Sequence, residues 1–151
     1  MIYLMRHADA VSDEVDPERP LSARGRDQVS RVCLVLSKTP GFAPAEVWHS
    51  PLARSLETAE LLLQGLGITS TLVLREGLTP DDDPGPVAAD LVAETRDIAV
   101  VGHEPHLGVL ASMIVHGPKS RGVLFPFSKA GLLALSRSSE GWTAQWIIRA
   151  P

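Results

Sequence analysis

Apolar positions along the chain fall in short runs separated by amphipathic stretches, an alternation that predicts an α/β fold with a largely parallel sheet. Residues 2–5 are continuously apolar and predict a buried first strand. Residues 9–20 are polar, acidic and aperiodic, and predict a loop. From Ser22 the spacing of Val29, Val32, Cys33 and Leu36 predicts a helix, weakened in its first turn by Gly25 and closed by Pro40-Gly41. Val47-Trp48-His49 predicts a second strand. Ser50-Pro51 then supplies an N-cap and a first helical position, with Leu52, Leu56, Ala59 and Leu63 as the apolar stripe and Gly65 or Gly67 as the stop. Residues 70–74 predict a third strand, 78–86 a Pro/Asp/Gly loop and 87–94 a short helix. Residues 98–101 predict a further strand running into Gly102-His103. Pro105 opens a helix striped by Leu107, Leu110, Ala111 and Ile114. Residues 116–127 are irregular, and 132–135 with 142–148 predict a terminal hairpin turned at 138–141. The expected architecture is a single three-layer α/β/α domain over residues 1–151, its mixed sheet mostly parallel.

Composition narrows the function classes. A chain of 151 residues suits one domain, and at this size roughly 68–70% of the unfolded surface is buried. An apolar content of 44% argues against disorder throughout. Acids outnumber bases 18 to 14, for a net charge of −4, against the basic contact face of a nucleic-acid binder. Cys33 is the sole cysteine, which excludes an intrachain disulfide framework and a cysteine-rich zinc site and fits a reducing compartment. The apolar start gives way to Arg6-His7, too soon for a signal peptide, and no run approaches the ~18–20 apolar residues of a membrane span. A cytoplasmic protein without a membrane partner is expected, its oligomeric state open and a monomer compatible.

Candidate chemistry gathers at three strand-to-helix steps. Arg6-His7 follows the first strand, Arg54 lies in the first turn of the Ser50-Pro51 helix, and His103 follows the strand at 98–101. In open α/β sheets ligands bind beyond the carboxyl ends of the strands, so residues distant in sequence would meet on one crest. Helix N-termini there favour an anion. Two arginines and two histidines suit a phosphoryl group: guanidinium forks bind phosphate oxygens, and a neutral imidazole with one bare nitrogen can attack phosphorus. Taken singly, each has an ordinary structural reading: a chance Arg-His pair, a solvated helix arginine, a histidine capping the next helix. No metal or cofactor is required, because the arginines supply positive charge.

Leu4-Met5-Arg6-His7-Ala8, Pro20-Leu21-Ser22-Ala23-Arg24-Gly25, Ser50-Pro51-Leu52-Ala53-Arg54 continuing to Thr58-Ala59, and Gly102-His103 resemble, in order, the motifs of the histidine phosphatase (phosphoglycerate mutase-like) superfamily. The small size, Arg6-His7-Ala8-Asp9-Ala10, Arg19-Pro20-Leu21 and Leu78-Thr79-Pro80 resemble its SixA branch of phosphohistidine phosphatases. The resemblance implies a phosphoglycerate mutase-like fold, with His7 as nucleophile and Arg6, Arg54 and His103 holding the phosphoryl group. It implies phosphohistidine on a protein as substrate, with a small phosphorylated metabolite or a non-catalytic phospho-ligand module as alternatives. Arg19 is a candidate further phosphate contact or a loop arginine paired with Asp16 or Glu18. Ala8 stands where glycine is commoner. Glu76, in Arg75-Glu76-Gly77, lies near the place of the general acid in larger members; the competing reading is an exposed strand-end glutamate. Without a clear acid the site fits phosphoramidates better than alkyl phosphates, whose alkoxide must be protonated as it leaves. His106 is expected at a helix surface or pocket rim, His49 in packing or capping, and His116 at a helix end. Trp48, Trp142 and Trp146 are expected as core or edge aromatics, and Asp81-Asp82-Asp83 as a solvated loop.

Overall fold

The computed structural model describes residues 1–123 and 125–150, so Leu124 in the expected irregular stretch and Pro151 lie outside the described residues. The elements run β1 (Ile2–Arg6), α1 (Ala23–Leu36), β2 (Glu46–His49), α2 (Ala53–Leu66), β3 (Thr71–Leu74), α3 (Gly85–Ala93), β4 (Ile98–Gly102), α4 (His106–His116), β5 (Leu132–Ser138) and β6 (Gly141–Ile148). The strands form one six-stranded sheet in the order β3-β2-β4-β1-β5-β6. β1 to β4 are mutually parallel where they pair, while β5 runs antiparallel to β1 and β6 antiparallel to β5.

Strand alternation splits the interior into two cores. Ile2 and Leu4 of β1, with Ile98 and Val100 of β4, pack beneath α3 and α4 through Leu91, Leu107 and Leu110. Tyr3, Met5, Ala99 and Val101 face the other way, onto Val29, Val32, Ala59 and Leu62 of α1 and α2. The continuous apolar runs of β1 and β4 are thus explained: both strands are covered on both faces. The result is a three-layer α/β/α arrangement with a mixed, mostly parallel sheet.

Local chemistry sets the element ends. Ser22 caps α1 by accepting from Gly25 N, and Gly67 ends α2 in the left-handed region at φ 63°. Gly25 is required by packing: a Cβ there would sit 2.0 Å from the Asp9 carbonyl oxygen. Two expectations need correction. Ser50-Pro51 does not open α2, which begins at Ala53 with Leu52 at the cap. The buried face of α2 is Ser55, Thr58, Ala59 and Leu62, whereas Leu56 and Leu63 are half-buried. The stripe is displaced because polar side chains on α2 turn inward to bond the crest of the sheet. Among the described residues no helix is long and apolar enough to cross a membrane.

Candidate active site

Arg6 is the last residue of β1, paired in register with Gly102 at the end of β4. The chain leaves β1 with His7 N–H donating to the Gly102 carbonyl at 2.9 Å, so His7 stands directly on the crest. His7 Nδ1 lies 2.7 Å from the Ala8 carbonyl oxygen. A carbonyl can only accept, so Nδ1 carries the proton and Nε2 keeps its lone pair. Ala8 N–H donates to Thr58 Oγ1 at 3.1 Å, and that hydroxyl donates to the Arg54 carbonyl at 2.7 Å. The strand end bearing His7 is thereby tied to the first turn of α2 bearing Arg54. Ala8 is fully buried and does not take a positive φ, so the glycine-to-alanine difference strains nothing.

His103 immediately follows β4, and its ring centroid is 4.9 Å from that of His7. Its Nε2 lies 2.6 Å from Ser50 Oγ. Both imidazoles are buried, and burial is the main reason each pKa falls to about 3. Lys129 and Arg54 push both in the same direction, with Arg6 also acting on His103. The formal charges felt by the two rings are all positive. Near pH 7 both rings are neutral.

Arg6 Nη1 donates to the Phe127 carbonyl at 2.8 Å. Arg54 is half-buried, and burial together with the neighbouring Arg19 lowers its pKa. Among the described residues, its Nε, like that of Arg6, is buried without a protein partner. Arg19 takes φ 49° and donates from Nε to the Val11 carbonyl at 3.1 Å. No ion pair with Asp16 or Glu18 forms among the described residues. The fold thus brings Arg6, His7, Arg54 and His103 together, with Arg19 beside Arg54.

Glu76 is exposed two residues after β3, with no hydrogen bond among the described residues. His106 is buried at the start of α4, a correction to the helix-surface expectation; it lies beside Asp82, His103 and the Gly77 backbone, but among the described residues neither ring nitrogen has a partner in hydrogen-bond geometry. His49 ends β2 with Nδ1 2.9 Å from the Ser50 carbonyl, and His116 is exposed in the last turn of α4. Asp82 and Asp83 accept from the Thr79 and Gly85 N–H groups and so shape their turn. Trp48 is buried in the core beneath Arg75, while Trp142 and Trp146 are half-buried on edge strand β6. Among the described residues no cluster of three or more His, Cys, Asp or Glu side chains could hold a metal ion.

Several site residues escaped the sequence reading. The segment before β5 folds over the backbone of His7: Ala130 N–H donates to the His7 carbonyl at 3.2 Å, and Arg6 N–H to Gly131 O at 2.9 Å. Lys129 stands in this segment, its pKa lowered by burial, then by Arg6, with Arg19 and Arg54 adding to the effect. Glu104 clamps the segment, accepting from Phe127 N at 2.8 Å and Gly108 N at 3.0 Å. Ser50 and Thr58 belong to the third motif and were legible there as identities; their inward bonds were not. Lys129 carried no local signal, being one lysine in an aperiodic stretch.

A family model described as the histidine phosphatase superfamily (branch 1) matches residues 2–79. The phosphohistidine phosphatase SixA of Escherichia coli (strain K12) is 31% identical over 150 residues, covering 96% of this chain and 91% of that protein. A solved structure of the protein histidine phosphatase SixA complexed with tungstate superposes with a TM-score of 0.85 at 25% identity, over 99% of this chain and 96% of that one. A mycobacterial glucosyl-3-phosphoglycerate phosphatase solved with VO3 shares the fold, with a TM-score of 0.67 at 19% identity over 95% of this chain and 96% of that one. The chain therefore belongs to the histidine phosphatase superfamily, branch 1, and is a phosphatase similar to SixA.

Proposed function

We propose that the chain hydrolyses phosphohistidine on a protein through a covalent intermediate on His7. The observation that carries this reading is the pairing of a bare, neutral Nε2 on His7 with surroundings in which, among the described residues, the charged side chains acting on both rings are cationic rather than carboxylic. Nε2 attacks phosphorus in line, the N–P bond of the substrate breaks, and its electron pair leaves on the substrate imidazole. An imidazole already protonated on its other nitrogen departs neutral, whereas an alkoxide needs a positioned acid, typically worth 10²–10⁴-fold. Water then attacks the phosphoryl group on His7, giving inorganic phosphate and restoring the imidazole.

Arg6, Arg54 and His103 hold the equatorial oxygens in both steps, and Arg19 and Lys129 add positive potential. Fixed donors in a water-poor site act most strongly where charge builds up. The tungstate complex of the SixA relative supports an oxyanion site in this fold. The two cores share one sheet, which supports a single domain.

Rapid acid-free quenching with ³²P-phosphohistidine peptide should trap label on the wild-type chain and none on His7→Ala. Label retained by His7→Ala removes His7 as nucleophile. Turnover of the phosphohistidine peptide should exceed that of a sugar phosphate; the reverse order would favour the metabolite reading, with Glu76 as the proton donor to be tested.

A further inference from the structure

His103 has two ring nitrogens, and the protein occupies one of them. Nε2 lies 2.6 Å from Ser50 Oγ, while Nδ1 is buried without a protein partner among the described residues. Which nitrogen carries the proton decides whether the ring offers an anion a donor or a lone pair.

Ser50 decides this by counting. The residue is fully buried. Its Oγ accepts from Leu52 N–H at 3.3 Å, and its other side-chain contact among the described residues is His103 Nε2. A hydroxyl has one proton to donate. If Nε2 carried a proton, Oγ would accept from both nitrogens, and its own proton would be stranded in the interior. With Oγ as donor, Leu52 N–H gives to Oγ, Oγ gives to Nε2, and the ring proton resides on Nδ1, whose N–H is then the one group of this set left for a ligand, whereas the other tautomer leaves both the hydroxyl proton and the Nδ1 lone pair without a partner. The serine is itself held in place. Ser50 N–H donates to Ser55 Oγ at 3.0 Å, and Ser55 Oγ donates to the Val101 carbonyl at 2.7 Å, on the strand that ends just before His103.

We infer that Ser50 is a positioning residue that fixes His103 as the Nδ1–H tautomer, so that a phosphoryl oxygen meets an N–H rather than a lone pair. His7 is held in the same tautomer by the Ala8 carbonyl but has the opposite nitrogen free. Two neighbouring neutral imidazoles of identical protonation thus differ in character, one a nucleophile and the other a donor. Exchange of the His103 tautomer would set two lone pairs against an incoming dianion. The inference rests on the reading of His103 as a phosphoryl donor, but the tautomer is measurable without turnover.

The test uses the full chain labelled with ¹⁵N-histidine. Two-bond ¹H–¹⁵N correlation spectra of the wild type, Ser50→Ala and Ser50→Thr are compared with their kcat values on a phosphohistidine peptide. The wild type should show His103 protonated on Nδ1 and bare on Nε2. Ser50→Ala should populate the Nε2–H form and lower kcat by about tenfold to a hundredfold, with the His7 signals unmoved. Ser50→Thr, which keeps the hydroxyl, should restore the Nδ1–H form and most of kcat. An Nε2–H signal for wild-type His103, or a Ser50→Ala variant with tautomer and kcat unchanged, overturns the inference. If Ser50→Ala does not fold, the wild-type spectrum decides. An Nδ1–H tautomer in a protein that turns over no phosphohistidine peptide supports the tautomer assignment and overturns the substrate reading.

Discussion

His7 and His103 occupy a place where burial works against charge, so the residues proposed as nucleophile and donor are both uncharged near neutral pH. This separates their expected mutational signatures. His7→Ala removes the attacking atom and should lower kcat by more than about 10³-fold, as expected for a nucleophile that splits the reaction into two steps, with the denaturant midpoint retained. Arg54→Ala should raise KM and lower kcat together, by about 10²-fold or more in kcat/KM, because a guanidinium on the phosphoryl oxygens serves the ground state and the transition state alike. Steady-state kinetics on a phosphohistidine peptide would check both; unchanged kinetics for Arg54→Ala would place that side chain outside the site. The identities of these residues were legible in the sequence because each follows or opens an element at a strand-to-helix step. Lys129 was not, since its position depends on a loop that returns across the sheet to His7.

The elements carry constraints that their periodicity conceals. Replacing an exposed helix glycine by alanine ordinarily gains up to about 1 kcal/mol. At Gly25 the added Cβ would meet the backbone oxygen of Asp9 at 2.0 Å, well inside contact distance. Overpacking of that kind costs about 1–3 kcal/mol, so the clash should win and Gly25→Ala should destabilise, as urea unfolding would read. α2 makes the complementary point. Its Ser55 and Thr58 look like solvent-facing residues in the pattern, yet both are buried and bond the strand ends beneath the site. Glu104 does similar work between α4 and the returning loop. Glu104→Ala should leave Phe127 N–H without its acceptor and free the carbonyl that Arg6 grips, lowering stability by about 1–3 kcal/mol and weakening inhibition by inorganic phosphate. Equal phosphate inhibition in that variant would separate the clamp from the site.

At the scale of the whole molecule, the buried neutral histidines couple folding to pH. His7 and His103 ionise near 3 when folded, against an ordinary value of 6.5, and His106 is lowered too, chiefly by burial. Between those limits the unfolded chain binds more protons than the native one, so stability rises with pH through this window. Read downward, stability should fall from about pH 6.5 toward pH 3, and the dependence of the melting temperature on pH in that range should flatten in a His103→Asn variant. A melting temperature constant between pH 7 and pH 4 would contradict neutral burial of these rings.

Apolar runs and three-to-four spacing are local consequences of strand and helix geometry, so the sequence alone specifies the order and type of the elements. It also marks Arg6 and His7, where the first apolar run ends, and Arg54 and His103, whose flanking serines, prolines and glycine locate them at element boundaries. Tertiary structure decided the rest. Which hydroxyl meets His103, which carbonyl holds the His7 proton, and that Lys129 returns to the crest depend on contacts between residues far apart in the chain. Such contacts are fixed by how the sheet orders its strands, with β1 and β4 side by side and β2 beyond β4. Spacing along one element records how that element faces the core, but it carries no record of the neighbour placed opposite a polar side chain.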